Sequence, residues 1–271
     1  MQLVPGTRLP TGHGVGHTSG EPCHAALMDV IENAERGEWL VGRVHGWATV
    51  GSVAGYGADA YVRILHPRES GHVDNRREWG VPPSDDWTTR RWSDVAATYG
   101  RTMHPLVQWG RLLDDQDPYA PGTSVGCLDP VVLAALVPLL TSATSTPDDV
   151  VAGFWTGHGG LDIVSRRQLN LPGREYVLTS TTLAELSDPD WGFSLELGWV
   201  THVRSPSLQL LWPDDHAWVL ATEIDWDSTI VAGSRALVES IVLDGRFEAF
   251  EVGPDDDLSW DGDTINGPSQ P

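Results

Sequence analysis

A chain of 271 residues is long enough for one large domain or two small ones, and its 38 acidic against 17 basic residues give a formal charge of −21. A negative field of that size argues against a nucleic acid or an anionic membrane as main partner, because both are bound by Lys and Arg that displace counterions. Every basic residue is Arg, which excludes a Schiff-base lysine, a lysine general base and the phosphate-gripping lysine that follows a glycine-rich loop.

The first residues lack the basic start, apolar run and small-residue cleavage site of a secretory signal, so a cytoplasmic location is expected. Residues 1–20 carry a Gly-His repeat among Pro, Thr and Ser and predict a flexible arm. Glu21 and Pro22, ahead of the apolar spacing Ala26, Leu27, Val30, Ile31 and Ala34 and a stop at Gly37, predict a helix, with a strand following over 39–44. Over 59–66, Ala60, Val62 and Ile64 alternate with Tyr61, Arg63 and Leu65 up to Pro67, which predicts a strand covered on both faces. A surface excursion over 68–86 precedes helices at 92–99 and 105–113. Asp129 caps, and Pro130 opens, a helix over 130–140, whose apolar run is too short for the roughly 18 residues of a membrane span.

Residues 141–149 form a polar break and a candidate lobe boundary. Strand signals follow at 150–155, 175–179, 192–203, 208–212, 216–224 and 228–232. Ser234 caps a helix to residue 244, and 246–252 alternates as a last strand. The Asp-rich residues 253–271 predict an acidic disordered tail. This order predicts an α+β domain over 21–252, a mixed, mainly antiparallel sheet with packed helices. Cys23 and Cys127 belong to no Cys-x-x-Cys pair, which excludes a zinc knuckle and fits a reducing compartment.

The densest polar stretch is 212–229. A strand continuing through Asp227 places Glu223, Asp225 and Asp227 on one face. Three like charges so placed are neutralised by a cation or an Arg, or raise one another's pKa. They are therefore candidate catalytic and metal-ligating residues, with His216 as a catalytic partner and a divalent ion such as Mg or Mn as the cofactor of that reading. The other reading ends the strand near Ile224 and turns the acids to water. Candidate binding residues are Trp212, Asp214, Asp215 and Trp218, with Arg174 or Arg63 to hold an anionic substrate.

Residues 224–229, Ile-Asp-Trp-Asp-Ser-Thr, resemble the nucleophile motif of haloacid-dehalogenase-like phosphatases, which implies phosphorylation of Asp225 and an acid/base role for Asp227. That motif opens a large Rossmann-like domain, whereas only residues 230–271 follow here, and a chain without Lys lacks the family's usual basic residue. Asp257, Ser259 and Asp261 before Gly262 are spaced as in a calcium loop, but Pro268 stands where the closing acid belongs. His13 and His17 lie in the glycine-rich arm without rigid support, and His66, His104 and His158 read as packing or turn residues. His-Glu-x-x-His and a helix-opening Gly-x-Gly-x-x-Gly are absent.

Most of the 13 Trp fill a core, while a few rim a groove, and an acidic surface with exposed aromatics suits a basic protein. The expectation is a non-enzymatic module, without cofactor, that binds a basic protein or a small ligand; the alternative is a metal-dependent hydrolase using Glu223, Asp225 and Asp227. Ala60-Tyr-Val-Arg-Ile-Leu-His-Pro, Phe154-Trp-Thr-Gly, Leu171-Pro-Gly-Arg-Glu-Tyr and residues 212–225 together resemble a group of uncharacterised actinobacterial proteins. That resemblance implies a bacterial cytosolic protein and assigns no site residues.

Overall fold

Strands covered on both faces need near-continuous apolar runs, and β2 (Ala60–Leu65) is such a run, buried at every position. The computed structural model describes residues 29–32, 34–70, 88–113, 125–158, 167–194 and 208–267. Within them the strands are β1 (Asp29–Val30), β2, β3 (Arg68–Ser70), β4 (Thr88–Arg90), β5 (Val150–Trp155), β6 (Leu169–Leu171), β7 (Arg174–Thr181), β8 (Leu210–Pro213), β9 (Val219–Thr222), β10 (Ser228–Gly233) and β11 (Ala249–Val252). Nine of them form one sheet in the order β1-β7-β5-β8-β9-β10-β2-β11, with β6 paired to β7, and β3 pairs only with β4. Every pairing among the described residues is antiparallel. The α+β expectation holds.

The helices are α1 (Glu38–Val41), α2 (Val50–Ala54), α3 (Trp92–Thr98), α4 (Trp109–Leu112), α5 (Pro130–Ser142), α6 (Trp191–Ser194) and α7 (Arg235–Leu243). The two longest carry the expected caps: the Asp129 side chain accepts from the Val131 amide and Ser234 accepts from the Leu237 amide. They cover one face of the sheet, where Leu136, Leu140, Leu237 and Ile241 pack on Val62, Ile64, Leu220 and Val231. On the other face Leu40, Val44 and Val50 pack on Tyr61, Trp212, Ala221 and Ile230. A third cluster joins Leu65 of β2 to Trp92, Trp109 and Leu112. Each such side chain contributes about 1.5–3 kcal/mol on burial, and the sheet lies between two covered faces.

The amino-terminal readings are corrected. The described part of the expected first helix is instead β1, paired with β7, followed by a 3-10 turn at Ala34–Gly37. The expected strand over 39–44 is instead α1, because Leu40 and Val44 sit one helical turn apart and the Leu40 carbonyl accepts from the Arg43 and Val44 amides. The helix expected over 105–113 contracts to α4, and the strand expected over 192–203 begins as α6, with 195–203 outside the described residues. Residues 1–20 and 71–86 also lie outside them. The polar break at 141–149 leads from α5 into β5, and strands from both sides of it share the one sheet.

The largest correction concerns the expected tail. Residues 253–267 pack against the domain, with Leu258, Asp263 and Asn266 buried. No helix of the described residues is long and apolar enough to cross a membrane.

Candidate functional site

The β9–β10 ladder stops at the Thr222–Thr229 pair. Beyond it the Trp226 amide donates to the Glu223 carbonyl at 3.0 Å, closing a turn. Glu223, Asp225 and Asp227 therefore do not share a strand face, since the period-two alternation that would align them ends with the ladder. Arg174 Nη2 stands 2.6 Å from Glu223 Oε1 and 3.5 Å from Asp225 Oδ2. Asp227 turns to the other side, 3.6 Å from Arg63 Nη2. The Trp226 carbonyl accepts from the Gly126 amide at 2.8 Å, and the Asp227 carbonyl from the His66 amide at 2.9 Å. Gly126 has φ +71°, and a Cβ there would collide with the Ile224 carbonyl.

Arg63 is not available to an anionic substrate. Its guanidinium donates from Nε to Ser228 Oγ at 2.9 Å and from Nη1 to the carbonyls of Pro105 at 3.0 Å and Val107 at 2.8 Å. Burial lowers its pKa to about 10 against the opposing pull of Asp227 and Asp263, so it stays charged at neutral pH. Arg174 is likewise engaged by its two carboxylates, with the ring of Trp155 5.5 Å away. Burial and the Glu223 charge raise the pKa of nearby Tyr176, although Arg174 pulls it down.

The remaining candidates lie elsewhere. Trp212 and Trp218 are core residues, and Trp218 Nε1 donates to the Leu140 carbonyl at 3.1 Å. Asp214, Asp215 and His216 occupy the β8–β9 turn, at the opposite end of β9 from Glu223, so His216 cannot join the acids. Asp214 lies 3.0 Å from Arg36 Nη2, which also holds Asp149 at 2.7 Å. Burial alone would raise the Asp215 pKa, but hydrogen bonds from the Ser145 amide and hydroxyl, Thr144 and the Ala217 amide bring it below its usual value. His216 stacks on Trp39 at 4.1 Å, and burial lowers its pKa. His216 and Trp218 line a separate cavity of about 210 Å³ with Trp39 and Arg43.

Among the described residues no group of three or more His, Cys, Asp and Glu is placed to hold a metal ion. Asp257 Oδ1 instead accepts from the Ser259 amide at 2.8 Å, so the calcium-loop spacing serves a local turn. Cys127 is half-buried, its thiol 3.7 Å from the Leu128 carbonyl, and Cys23 lies outside the described residues.

What the turn does build is a cleft of about 360 Å³, lined by Trp47, Trp226, Trp260, Gln108, Asp225 and Asp227, with Arg63 behind Asp227. Trp47 is 80% exposed and Trp260 56% exposed. Trp47 stands between two left-handed residues, Gly46 at φ 87° and Ala48 at φ 60°. The left-handed conformation costs a residue with a Cβ about 1–2 kcal/mol, so Ala48 is strained to hold this loop. Its strain is opposed by the Leu258 amide donating to the Ala48 carbonyl at 2.8 Å and by the Val50 amide donating to the Asp256 carbonyl at 3.1 Å.

The other wall comes from the segment that composition assigned to solvent. The Trp260 ring sits against Gly110, where a Cβ would collide with it, and the Arg111 guanidinium lies 4.5 Å from the ring centroid. Asp263 anchors this wall by accepting from His104 Nε2 at 2.8 Å, the Gln108 amide at 3.1 Å and the Asn266 amide at 2.8 Å. Burial would raise the Asp263 pKa, yet these donors and the Asn266 side chain hold it below the usual carboxylate range. Sequence reasoning missed Trp47, Gln108 and Trp260 as site residues; a tryptophan inside an Asp-rich segment was the one local hint at Trp260.

A smaller cavity of about 80 Å³, lined by Arg174 and Glu223, shares Trp47, Ala48, Asp225 and Trp226 with the first. Comparison of the chain with protein-family models, curated proteins and solved structures returned no match.

Proposed function

We propose that the protein is a non-enzymatic binding module whose cleft receives a basic segment of a partner protein. The observation that carries this reading is Trp47, held 80% exposed at the cleft by a strained loop beside Asp225. Strain kept at an exposed aromatic has a use in recognition, where tryptophan supplies a large contact area. A formal charge of −21 favours encounter with cationic partners and disfavours acidic ones.

The test is calorimetric titration of the full chain with a basic peptide and an acidic peptide of equal length. Binding of the basic peptide, weakened by added salt and by Trp47→Ala, supports the module. No binding of basic peptides by the folded chain overturns it. A melting temperature raised by Mg²⁺ or Mn²⁺ and no longer raised in Asp225→Asn would bring back the hydrolase reading in its place.

A further inference from the structure

We infer that the cleft selects arginine side chains over lysine in its partner, an inference that rests on the binding reading above. Apart from the indole N–H groups, the committed Arg63 and the Ser259 hydroxyl, which accepts from the Asp261 amide at 3.3 Å, the polar side chains lining the cleft offer acceptors. Gln108 commits its side-chain nitrogen to the carbonyls of Leu106 at 3.4 Å and Leu258 at 3.2 Å, which leaves its Oε1 without a donor among the described residues. Asp225 is 73% exposed and touches Arg174 only at 3.5 Å. Arg63, the cationic side chain in the lining, is committed to Ser228, Pro105, Val107 and Asp227.

Such a lining calls for a group rich in donors and free of acceptors. Guanidinium carries five N–H donors in a plane, stacks on indole and is weakly hydrated, so it enters a half-apolar cleft at low cost. The lysine ammonium is compact and strongly hydrated, and holds its water more tightly. Arg111 already lies over Trp260, so the ring left for an incoming cation is the exposed Trp47, with Trp226 beside it and Asp225 within the same lining.

Three peptides of equal length test this, alternating Gly with Arg, with Lys or with citrulline, each titrated into the full chain and followed by calorimetry and tryptophan fluorescence. The arginine peptide should bind at least about fivefold more tightly than the lysine peptide, and the citrulline peptide, planar but uncharged, should lose as much again. Trp47→Phe should keep the Arg-over-Lys preference and Trp47→Ala should abolish it, with far-UV circular dichroism confirming that both remain folded. Equal affinity for Arg and Lys overturns the arginine selection and leaves the binding module standing. Equal affinity for Arg and citrulline overturns recognition of a cation, and binding of none of the three overturns the module itself.

Discussion

Two guanidiniums grip the same turn from opposite sides, and burial has given them different work. Arg63 is 1% exposed and ties β2 to residues 105–107, to Ser228 at the start of β10 and to Asp227. Arg174 is 18% exposed and pairs with Glu223 and Asp225 at the near end of the turn, its Nη1 donating to the adjacent Gly173 carbonyl, while its Nε has no hydrogen-bond partner among the described residues. The Asp227 half of the turn is thus welded into the sheet, and the Glu223–Asp225 half is held by a pair that water can reach. A binding surface needs both: a rigid base that fixes the cleft and a rim whose charges can answer a ligand.

The contrast breaks hardest at Arg63. Arg63→Ala would leave the Asp227 carboxylate without its guanidinium and the Pro105 and Val107 carbonyls without their donor. Removing one partner of a buried pair costs about 3–5 kcal/mol, and urea unfolding should record a loss of that order. A loss below about 1 kcal/mol, the level of an exposed pair, would place the two arginines on the same footing.

Asp263 extends the rigid half, since its charge also acts on Arg63. Asp263→Asn keeps the shape but weakens the acceptor that His104, Gln108 and Asn266 share, and should cost about 1–3 kcal/mol. The sign of its pH dependence follows from its depressed folded pKa. The stabilisation is present above the unfolded value of about 4 and is lost as pH falls through the lower folded value. Stability measured across that acid range should fall less steeply in Asp263→Asn than in the parent.

How much of this was legible in the sequence depended on whether the signal was local. Alternation marked β2 and β11, and Asp129 and Ser234 marked the starts of α5 and α7, because each element announces itself within a few residues. Val30, Ile31 and Ala34 carried a spacing that fits a helix, yet pairing of Asp29 and Val30 with Ser180 and Thr179 decides for a strand. Residues 253–267 read as solvated by composition, and what buries them is bonding across more than 150 residues, as from Asn266 to the Thr102 carbonyl. From the sequence, Arg174 or Arg63 reads as a holder of an anionic substrate. Their partners come from distant segments that no periodicity reveals.

The water-reached half predicts smaller numbers. Arg174→Ala, Glu223→Ala and the double variant form a cycle whose coupling energy should be about 0.5–1 kcal/mol, because the pair is partly exposed and screened. Unfolding in added salt should shrink that coupling while leaving the Arg63 effect largely in place. A salt-insensitive coupling equal to that of Arg63 would mean that the rim is as fixed as the base.

Asp225→Asn should change stability least of all, by no more than about 0.5 kcal/mol, since the residue is 73% exposed and its one charge contact among the described residues is 3.5 Å long. Its effect on binding should be out of proportion to that, because the carboxylate lies within the lining that holds Trp47. A fall in affinity for basic peptides by about threefold to tenfold, with an unchanged unfolding midpoint, would place Asp225 on the side of function. If instead stability and affinity fell together, Asp225 would belong with Asp227 as part of the frame, and the division of the turn into a fixed and an adjustable half would be wrong.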